Sequence, residues 1–131
     1  MRLEVTIPIV TVSEPNARGA WFARSRRARA QRLAVADALA RHERPALPLR
    51  VTLTRIASRR LDSDNLAGAL KSVRDAVSRW LDVDDGPDGP VSWCYGQEVT
   101  RATRRELVRT KTAVFMKAVP VCAVRLTLGP P

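Results

Sequence analysis

Cysteine, histidine and long apolar runs are scarce in this chain, and each scarcity excludes a class of protein. With two cysteines, Cys94 and Cys122, far apart in sequence and one histidine, His42, the chain cannot assemble a zinc knuckle. Both cysteines lie in apolar, strand-like runs, and we interpret them as free buried thiols, with a disulfide as the alternative. No stretch approaches the roughly 20 apolar residues of a membrane span, and the N-terminus lacks a signal-peptide core. We therefore expect a cytoplasmic protein without a membrane partner.

Charge and composition indicate a single globular domain with a polyanionic partner. The chain has 131 residues, of which 45% are hydrophobic and 27% charged, which is ordinary for one folded domain. Its 23 Lys and Arg residues outnumber 13 Asp and Glu residues, so the formal net charge is +10. Only three of the basic residues are lysines, which leaves 20 arginines. Arginine is the better fork-shaped ligand for phosphate, although a GC-rich genome would also enrich it.

The hydrophobic pattern predicts six elements in the order strand, helix, strand, helix, strand, strand. The strongest signal is helical, because apolar residues recur at spacings of three and four from Leu66 to Leu81. A segment at 13–19 is expected to form an arm, and 100–112 is ambiguous between a helical excursion and a long hairpin. This order predicts a single-domain α/β protein with a mixed sheet and two main helices. The predicted strands are Leu3 to Val10 (interrupted by Pro8 and expected near an edge), Leu49 to Ile56, Val91 to Val99 and Ala118 to Leu128 (broken near Pro120). The predicted helices are Asn65 to Leu81 and Ser25 to about His42, whose expected apolar side consists of Ala30, Leu33, Val35, Ala36, Leu39 and Ala40.

Two acidic clusters stand out in this basic chain, namely Asp62-Ser63-Asp64-Asn65 and Asp84-Asp85-Gly86. In an extended segment residues two apart point to the same side, so Asp62 and Asp64 are expected to converge on one cation. Capping of the following helix by Asp64 or Ser63 is the alternative for one of these residues. The second cluster alone has the composition of a surface turn. Acids inside a basic field are what a metal-dependent nuclease needs.

The spacing of the acids selects among metals. A calcium-binding EF-hand fails on register, because a loop with Gly86 at its sixth position would start at Leu81. A loop with Gly89 there would end on Tyr95 instead of glutamate. Zinc lacks ligands. The sequence therefore favours magnesium, with manganese as the alternative, held by a few carboxylates and completed by water and substrate phosphate.

The run from Arg59 to Leu66, the helix behind it and the pair Asp84-Asp85 resemble the RusA family of Holliday-junction resolvases, known mainly from phages and prophages. The resemblance covers most of residues 3 to 99. It implies a homodimeric, magnesium-dependent endonuclease that nicks four-way DNA junctions symmetrically in recombination and repair. By motif position, Asp62, Asp64 and Asp85 match the family's catalytic, metal-binding aspartates, with Asn65 and Asp84 beside them.

One position departs from the family pattern. The family's catalytic lysine lies one helical turn after the second aspartate, where this chain has Gly68. Lys71, seven residues after Asp64 and thus on nearly the same helical stripe, is the expected substitute, because a long side chain leans toward the N-terminus of its helix. A solvated surface lysine is the alternative.

Helix length adds an expectation about assembly. A helix from Asn65 to Leu81 moves the chain about 25 Å, at about 1.5 Å per residue, so the two acidic clusters of one subunit should lie far apart. If two copies of this helix pack antiparallel about a two-fold axis, Asp84 and Asp85 of one subunit approach Asp62 and Asp64 of the other. We therefore expect two composite sites per dimer, with the small residues at 67–69 permitting a close helix approach.

Arginine clusters supply the expected DNA-binding surface. Backbone phosphates would be bound without reading of bases. For the arginines of the first helix, a solvated face is the alternative. A non-catalytic DNA-binding module, or a nuclease for other branched DNA, is compatible with the same basic residues. The residues expected to bind DNA are Arg24, Arg26, Arg27, Arg29, Arg59, Arg60, Arg104 and Arg105, with Arg101 and Arg109 beside the last two.

Overall fold

The α/β class predicted from the sequence is confirmed in a computed structural model, which describes residues 2–12 and 21–131. Three helices and six strands are described. None of the helices in these two ranges is both long and apolar enough to cross a bilayer. In chain order the elements are β1 (Leu3–Ile7), α1 (Trp21–Leu39), β2 (Leu49–Ala57), α2 (Ser63–Ala69), α3 (Lys71–Leu81), β3 (Val91–Val99), β4 (Thr103–Arg109), β5 (Val114–Pro120) and β6 (Ala123–Gly129).

Four strands form a mixed sheet in the order β1-β6-β2-β3. Strand β6 is antiparallel to both β1 and β2, whereas β2 and β3 are parallel and pair from Leu49 opposite Val91 to Ala57 opposite Val99. Parallel neighbours need a long crossover, and α2 with α3 provides it. Strands β4 and β5 pair with each other in a separate two-stranded sheet.

The sheet buries one face against the helices. Along β2 the residues at 49, 51, 53, 55 and 57 are all buried, and those between them are more exposed, which is the two-residue period of a strand with one covered face. The core combines these side chains with inward residues of β1, β6 and the three helices. The opposite face is polar: it carries Thr52 and Thr54, and Arg125 makes a two-pronged ion pair with Glu98 at 2.5 and 3.1 Å.

The helical periodicity is confirmed for the second predicted helix and only partly for the first. Leu66, Leu70, Val73, Val77 and Leu81 are all buried, as their spacing predicts. The predicted single helix is divided at Leu70, whose N–H is shared between the carbonyls of Leu66 and Ala67 at 3.2 and 3.3 Å. On α1 the predicted apolar side was too wide. Only Gln31, Val35 and Leu39 are buried there, a stripe of one residue per turn, while Leu33 is 59% exposed.

Several predicted boundaries were wrong, and the ambiguous segment is now assigned. The first helix begins at Trp21, before the predicted Ser25, and ends at Leu39. The interruptions predicted near Pro8 and Pro120 are confirmed. The first strand ends at Ile7, since Pro8 lacks an N–H for the ladder. Residues 103–109 form a strand of a hairpin, and the last predicted strand is divided after Pro120 into β5, which begins at Val114, and β6. The predicted arm at 13–19 lies outside the described residues.

Leu53 lies at the centre of this core with none of its surface exposed, so its truncation should be costly. We expect Leu53→Ala to lower the free energy of unfolding by about 2–5 kcal/mol, because a cavity is left among packed neighbours. Urea denaturation followed by circular dichroism measures this. The matched control is Leu107→Ala at a position 49% exposed, which should cost less than about 0.5 kcal/mol. Equal losses in the two variants would contradict the assigned core.

Candidate functional site

The first acidic segment follows the carboxyl end of β2 and starts a helix. Asp62 is the N-cap of α2: its Oδ1 accepts from the Asn65 N–H at 2.9 Å, and its Oδ2 accepts from the Asn65 side-chain amide at 3.0 Å. The predicted caps, Asp64 or Ser63, were wrong by one or two positions, since α2 already begins at Ser63. The expectation of an extended segment was also wrong, so Asp64 lies in the first turn of α2, exposed, where a carboxylate also favours the helix dipole.

Two buried-face side chains hold the backbone that leads into Asp62. Gln97 on β3 donates from its amide to the Leu61 carbonyl at 2.8 Å and accepts from the Leu61 N–H at 2.9 Å. Arg55, its register partner on β2, donates to the Arg59 carbonyl at 2.6 Å and to the Thr11 hydroxyl at 2.9 Å. Three backbone groups of the loop at 58–62 are thus hydrogen-bonded to the parallel strand pair. Thr11, in the segment that follows β1, is hydrogen-bonded to the same pair.

Arg55 is an unusual member of this arrangement. Its residue surface is 7% exposed, and its hydrogen-bond partners are neutral oxygens of Thr11 and Arg59. Burial lowers the pKa of the Arg55 guanidinium from its ordinary value, with a smaller opposing effect from Cys122. Arginine nevertheless stays cationic in proteins, so a positive charge is fixed beneath the loop that carries Asp62. Arg55 was not among the predicted site residues, although a charged residue at an inward-facing position of an alternating strand is visible in the sequence.

The second acidic segment is held by an arginine that the sequence analysis also missed. Arg74 on α3 donates to the hydroxyl of Tyr95 at 2.9 Å and to the backbone carbonyl of Asp85, and its Nε lies 3.3 Å from Asp85 Oδ2. Its guanidinium lies over the Trp93 ring, 4.7 Å from the centroid. Nothing in the spacing of Arg74 distinguishes it from a surface arginine. Asp84 accepts from the Gly86 N–H at 3.2 Å, the local turn that its composition suggests.

The two acidic segments flank the α2–α3 crossover. Asp62 and Asp64 follow the carboxyl end of β2, and Asp84 and Asp85 follow α3, where the chain folds back so that Asp85 contacts Arg74 in the first turn of that helix. Within the ranges 2–12 and 21–131, no three His, Cys, Asp or Glu side chains come together as a metal-binding group. One chain therefore brings Asp62 near Asp64, and Asp84 near Asp85, but does not unite the two pairs.

Lys71 is placed differently from the expectation. It is the first residue of α3, with 76% of its side chain exposed, and its ammonium lies 3.3 Å from Asp75 Oδ2 one turn further along the helix. The side chain thus leans away from Asp64, which contradicts the predicted lean toward the N-terminus. Of the small residues at 67–69, Ala69 is buried in the core, so only Ala67 and Gly68 are partly accessible to a partner helix.

Several of the expected DNA-binding arginines gather at the carboxyl end of the parallel strands. Arg59 and Arg60 are exposed in the loop before Asp62. The Thr100 N–H donates to the Ala57 carbonyl at 2.9 Å, which fixes the base of the β4–β5 hairpin at this same end. The hairpin carries Arg104 and Arg105, both exposed, and Arg104 lies 3.7 Å from Glu106.

The first half of α1 adjoins α2 at this end. A depression of about 270 Å³ between them is lined on one side by Arg24 and on the other by Gly68 and Ser72. Arg26 lies over the Phe22 ring at 5.4 Å from the centroid, and Arg26 and Arg29 are exposed, whereas Arg27 is half-buried. Arginines from three parts of the chain therefore lie at the same end of the sheet as the acids of the first segment.

Comparison with protein-family models, with curated proteins and with solved structures found no match to this chain. The resemblance to the RusA family stays a prediction that rests on the quoted residues.

The role of Gln97 can be measured at one amide. We expect Gln97→Ala to remove both hydrogen bonds to Leu61 and to leave its backbone groups without a protein partner, at a cost of about 1–3 kcal/mol in stability. Hydrogen exchange followed by NMR should show faster exchange of the Leu61 amide. Ser92→Ala, at an exposed position of the same strand, is the control and should leave that amide protected. Unchanged protection of Leu61 in Gln97→Ala would show that the loop is held by other contacts.

Proposed function

We propose that this chain is a magnesium-dependent endodeoxyribonuclease that acts on branched DNA, with four-way junctions as its principal substrate. The observation that supports this is the pair Asp62 and Asp64 at the carboxyl end of β2, bordered by arginines of α1, the 58–62 loop and the hairpin base. Open α/β sheets bind their ligands outside the carboxyl ends of parallel strands. Carboxylates at a phosphate-binding surface oppose binding unless a cation offsets them, so their presence favours a metal.

The residues fit a hard divalent cation. Asp64 is exposed, and each oxygen of Asp62 accepts one hydrogen bond, which leaves each a lone pair for a ligand. Magnesium usually takes one or two carboxylates and completes its octahedron with waters and substrate phosphate. When bound there, it would lower the pKa of a ligated water and polarise the phosphate for in-line hydrolysis. Manganese suits the same oxygen ligands.

Basic side chains of this protein bind the DNA backbone and stabilise charge on the scissile phosphate. Exposed arginines such as Arg59, Arg60, Arg104 and Arg105 bind backbone phosphates and position the scissile bond over Asp62 and Asp64. Lys71 stabilises charge on the phosphate if substrate draws it away from Asp75. Arg24 is the other candidate for this role, because it borders the same depression as Gly68, where the family places its lysine. The affinity for DNA should fall steeply with salt.

A homodimer completes the site in this proposal. Asp85 and Asp64 of one chain belong to no common metal-binding group among the described residues, and an antiparallel arrangement of two α2–α3 segments would bring Asp85 of a second copy to Asp64 of the first. Each dimer would then contain two composite sites, as two symmetric nicks require. In the single chain Asp85 is paired with Arg74, so this pair would have to open or to share the carboxylate with the metal.

The rival function is a DNA-binding module without catalysis, and three contacts favour it. Asp62 caps α2, Asp85 pairs with Arg74, and Lys71 pairs with Asp75, so each has a structural role of its own. Binding of Mn²⁺ to the wild-type chain, followed by electron paramagnetic resonance, separates the two functions, since the rival has no reason to hold the ion. A nuclease for flaps or three-way junctions would show itself by its preference among branched substrates.

Asp64 is the acid whose change tests catalysis most directly, because Asp62 also caps a helix. We expect Asp64→Asn to abolish magnesium-dependent cleavage of a synthetic four-way junction while its affinity for the junction, measured in Ca²⁺, changes less than about threefold. The control is Asp37→Asn, which makes the same change of charge at an exposed position of α1 and should cleave normally. Retained cleavage by Asp64→Asn would refute the metal-binding role.

Mixing two inactive variants tests the composite site. If Asp64 and Asp85 of different subunits form each site, a heterodimer of Asp64→Asn with Asp85→Asn contains one doubly altered site and one intact site. We expect equimolar mixing with random subunit exchange to restore nicking of one strand per junction at about a quarter of the wild-type rate, because about half of the dimers are heterodimers and each of these has one intact site of two. Thermal unfolding must first show that Asp85→Asn folds, because Asp85 contacts Arg74. No restoration by well-folded variants would place each site within one subunit.

A further inference from the structure

The β4–β5 hairpin, with its flanking residues 100–120, forms a projecting ribbon whose side chains have no structural role in the core. Its strands pair with each other and not with the four-stranded sheet. Every residue of the two strands is exposed except Val108 and Val119, which are half-buried. An isolated two-stranded hairpin is only marginally stable in water. Two backbone hydrogen bonds hold its base, from Thr100 to Ala57 and from Val121 to Ala102.

Large apolar side chains concentrate in the half of the ribbon nearest its tip. Leu107 pairs with Met116, Val108 with Phe115, and Arg109 with Val114. Since paired residues share a face and neighbours along a strand alternate, Leu107, Met116 and Val114 project from one face and Val108 and Phe115 from the other. Phe115 and Met116 are 46% and 47% exposed. The ribbon therefore presents apolar groups on both of its faces.

Charge decides against a second copy of the chain as the partner. Residues 100–120 contain six basic side chains and one acidic, a net charge of +5, which is half of the formal charge of the whole chain. An apolar groove of about 450 Å³ between α1 and α3 is itself bordered by Arg29, Arg32 and Arg79. Packing the ribbon into that groove of another copy would bring like charges together, which costs free energy. The partner must be anionic.

Apolar side chains lie on both faces of the ribbon, and this limits the kinds of anionic partner that fit it. A lipid surface or a flat protein surface would contact one face of the ribbon and leave the apolar groups of the other in water. Phosphates alone would use the arginines and lysines and give Phe115 and Met116 no contact. Apolar side chains do contact DNA where base pairs are unstacked, by insertion between bases or by stacking on them.

We propose that the tip half of the ribbon binds unpaired nucleobases in DNA, while the basic residues at its base and tip hold the flanking phosphates. This rests on the proposed function in that the ligand is DNA. It adds that the substrate has opened base pairs near the cut, which a branch point provides. The ribbon starts at the same end of the sheet as Asp62, so DNA bound along it from tip to base would lead toward the scissile phosphate.

The test compares two DNA probes in EDTA, where no cleavage occurs. One probe is a fully paired duplex, and the other has the same ends and a central unpaired segment that contains 2-aminopurine. We expect Phe115→Ser/Met116→Ser to lose about tenfold in affinity for the probe with unpaired bases and less than about twofold for the duplex. The fluorescence of 2-aminopurine should change on binding of the wild type and much less with the variant.

The matched control is Val10→Ser/Leu33→Ser, which removes two apolar side chains of comparable exposure, 59% each, away from the ribbon. It should bind both probes as the wild type does. Equal losses on the two probes, or no loss on either, would overturn the inference. So would conversion of a dimer to a monomer by the ribbon variant in sedimentation, since a second copy would then be the partner. Because these assays need no metal, a wild type that binds unpaired bases but cleaves nothing would refute only the nuclease proposal.

Discussion

The architecture follows from the parallel pairing of β2 with β3. A parallel pair requires the chain to return to the end where it began, and α2 with α3 provides that return across the buried face of the sheet. The first acidic segment lies where this crossover begins, and the second follows it and folds back to Arg74 on α3. The two segments form no common metal-binding group among the described residues, so the proposed site takes Asp64 and Asp85 from two molecules.

The charged and polar groups around each aspartate differ, and they indicate different roles for the three acids. Asp62 and Asp85 each have local partners, an N-cap amide and Arg74, whereas Asp64 is exposed in the first turn of α2. The cation of Arg55, which is buried and has no carboxylate partner among residues 2–12 and 21–131, lies under the loop that leads to Asp62 and favours negative charge nearby. Arginines from three separate elements border the same end. This environment favours phosphate and tolerates a small number of acids, as a metal-dependent site for DNA would require.

The elements with strong periodicity could be predicted, and their junctions could not. Helical spacing from Leu66 to Leu81 identified the inward residues correctly because one continuous stripe is buried against the sheet. The interruption at Leu70 has no such signal. On α1, the spacing of Leu33 predicted a core residue, but the helix buries only a narrow stripe and packs mainly on α3. The residues that hold the acidic segments, Gln97 and Arg74, contact positions 11 or more residues away, so local pattern could not reveal them.

Period, composition and spacing are local properties, so they are sufficient to predict the α/β class, the alternation of β2, the basic character and the two acidic clusters. Contacts between distant segments instead place Asp85 on Arg74 and make Arg55 and Gln97 neighbours beneath the loop that leads to Asp62. The tertiary structure also decided that residues 100–120 project as a ribbon with two exposed faces. Strand order, register and burial of one face are set by contacts between distant segments, and these depend on the packing of the whole chain.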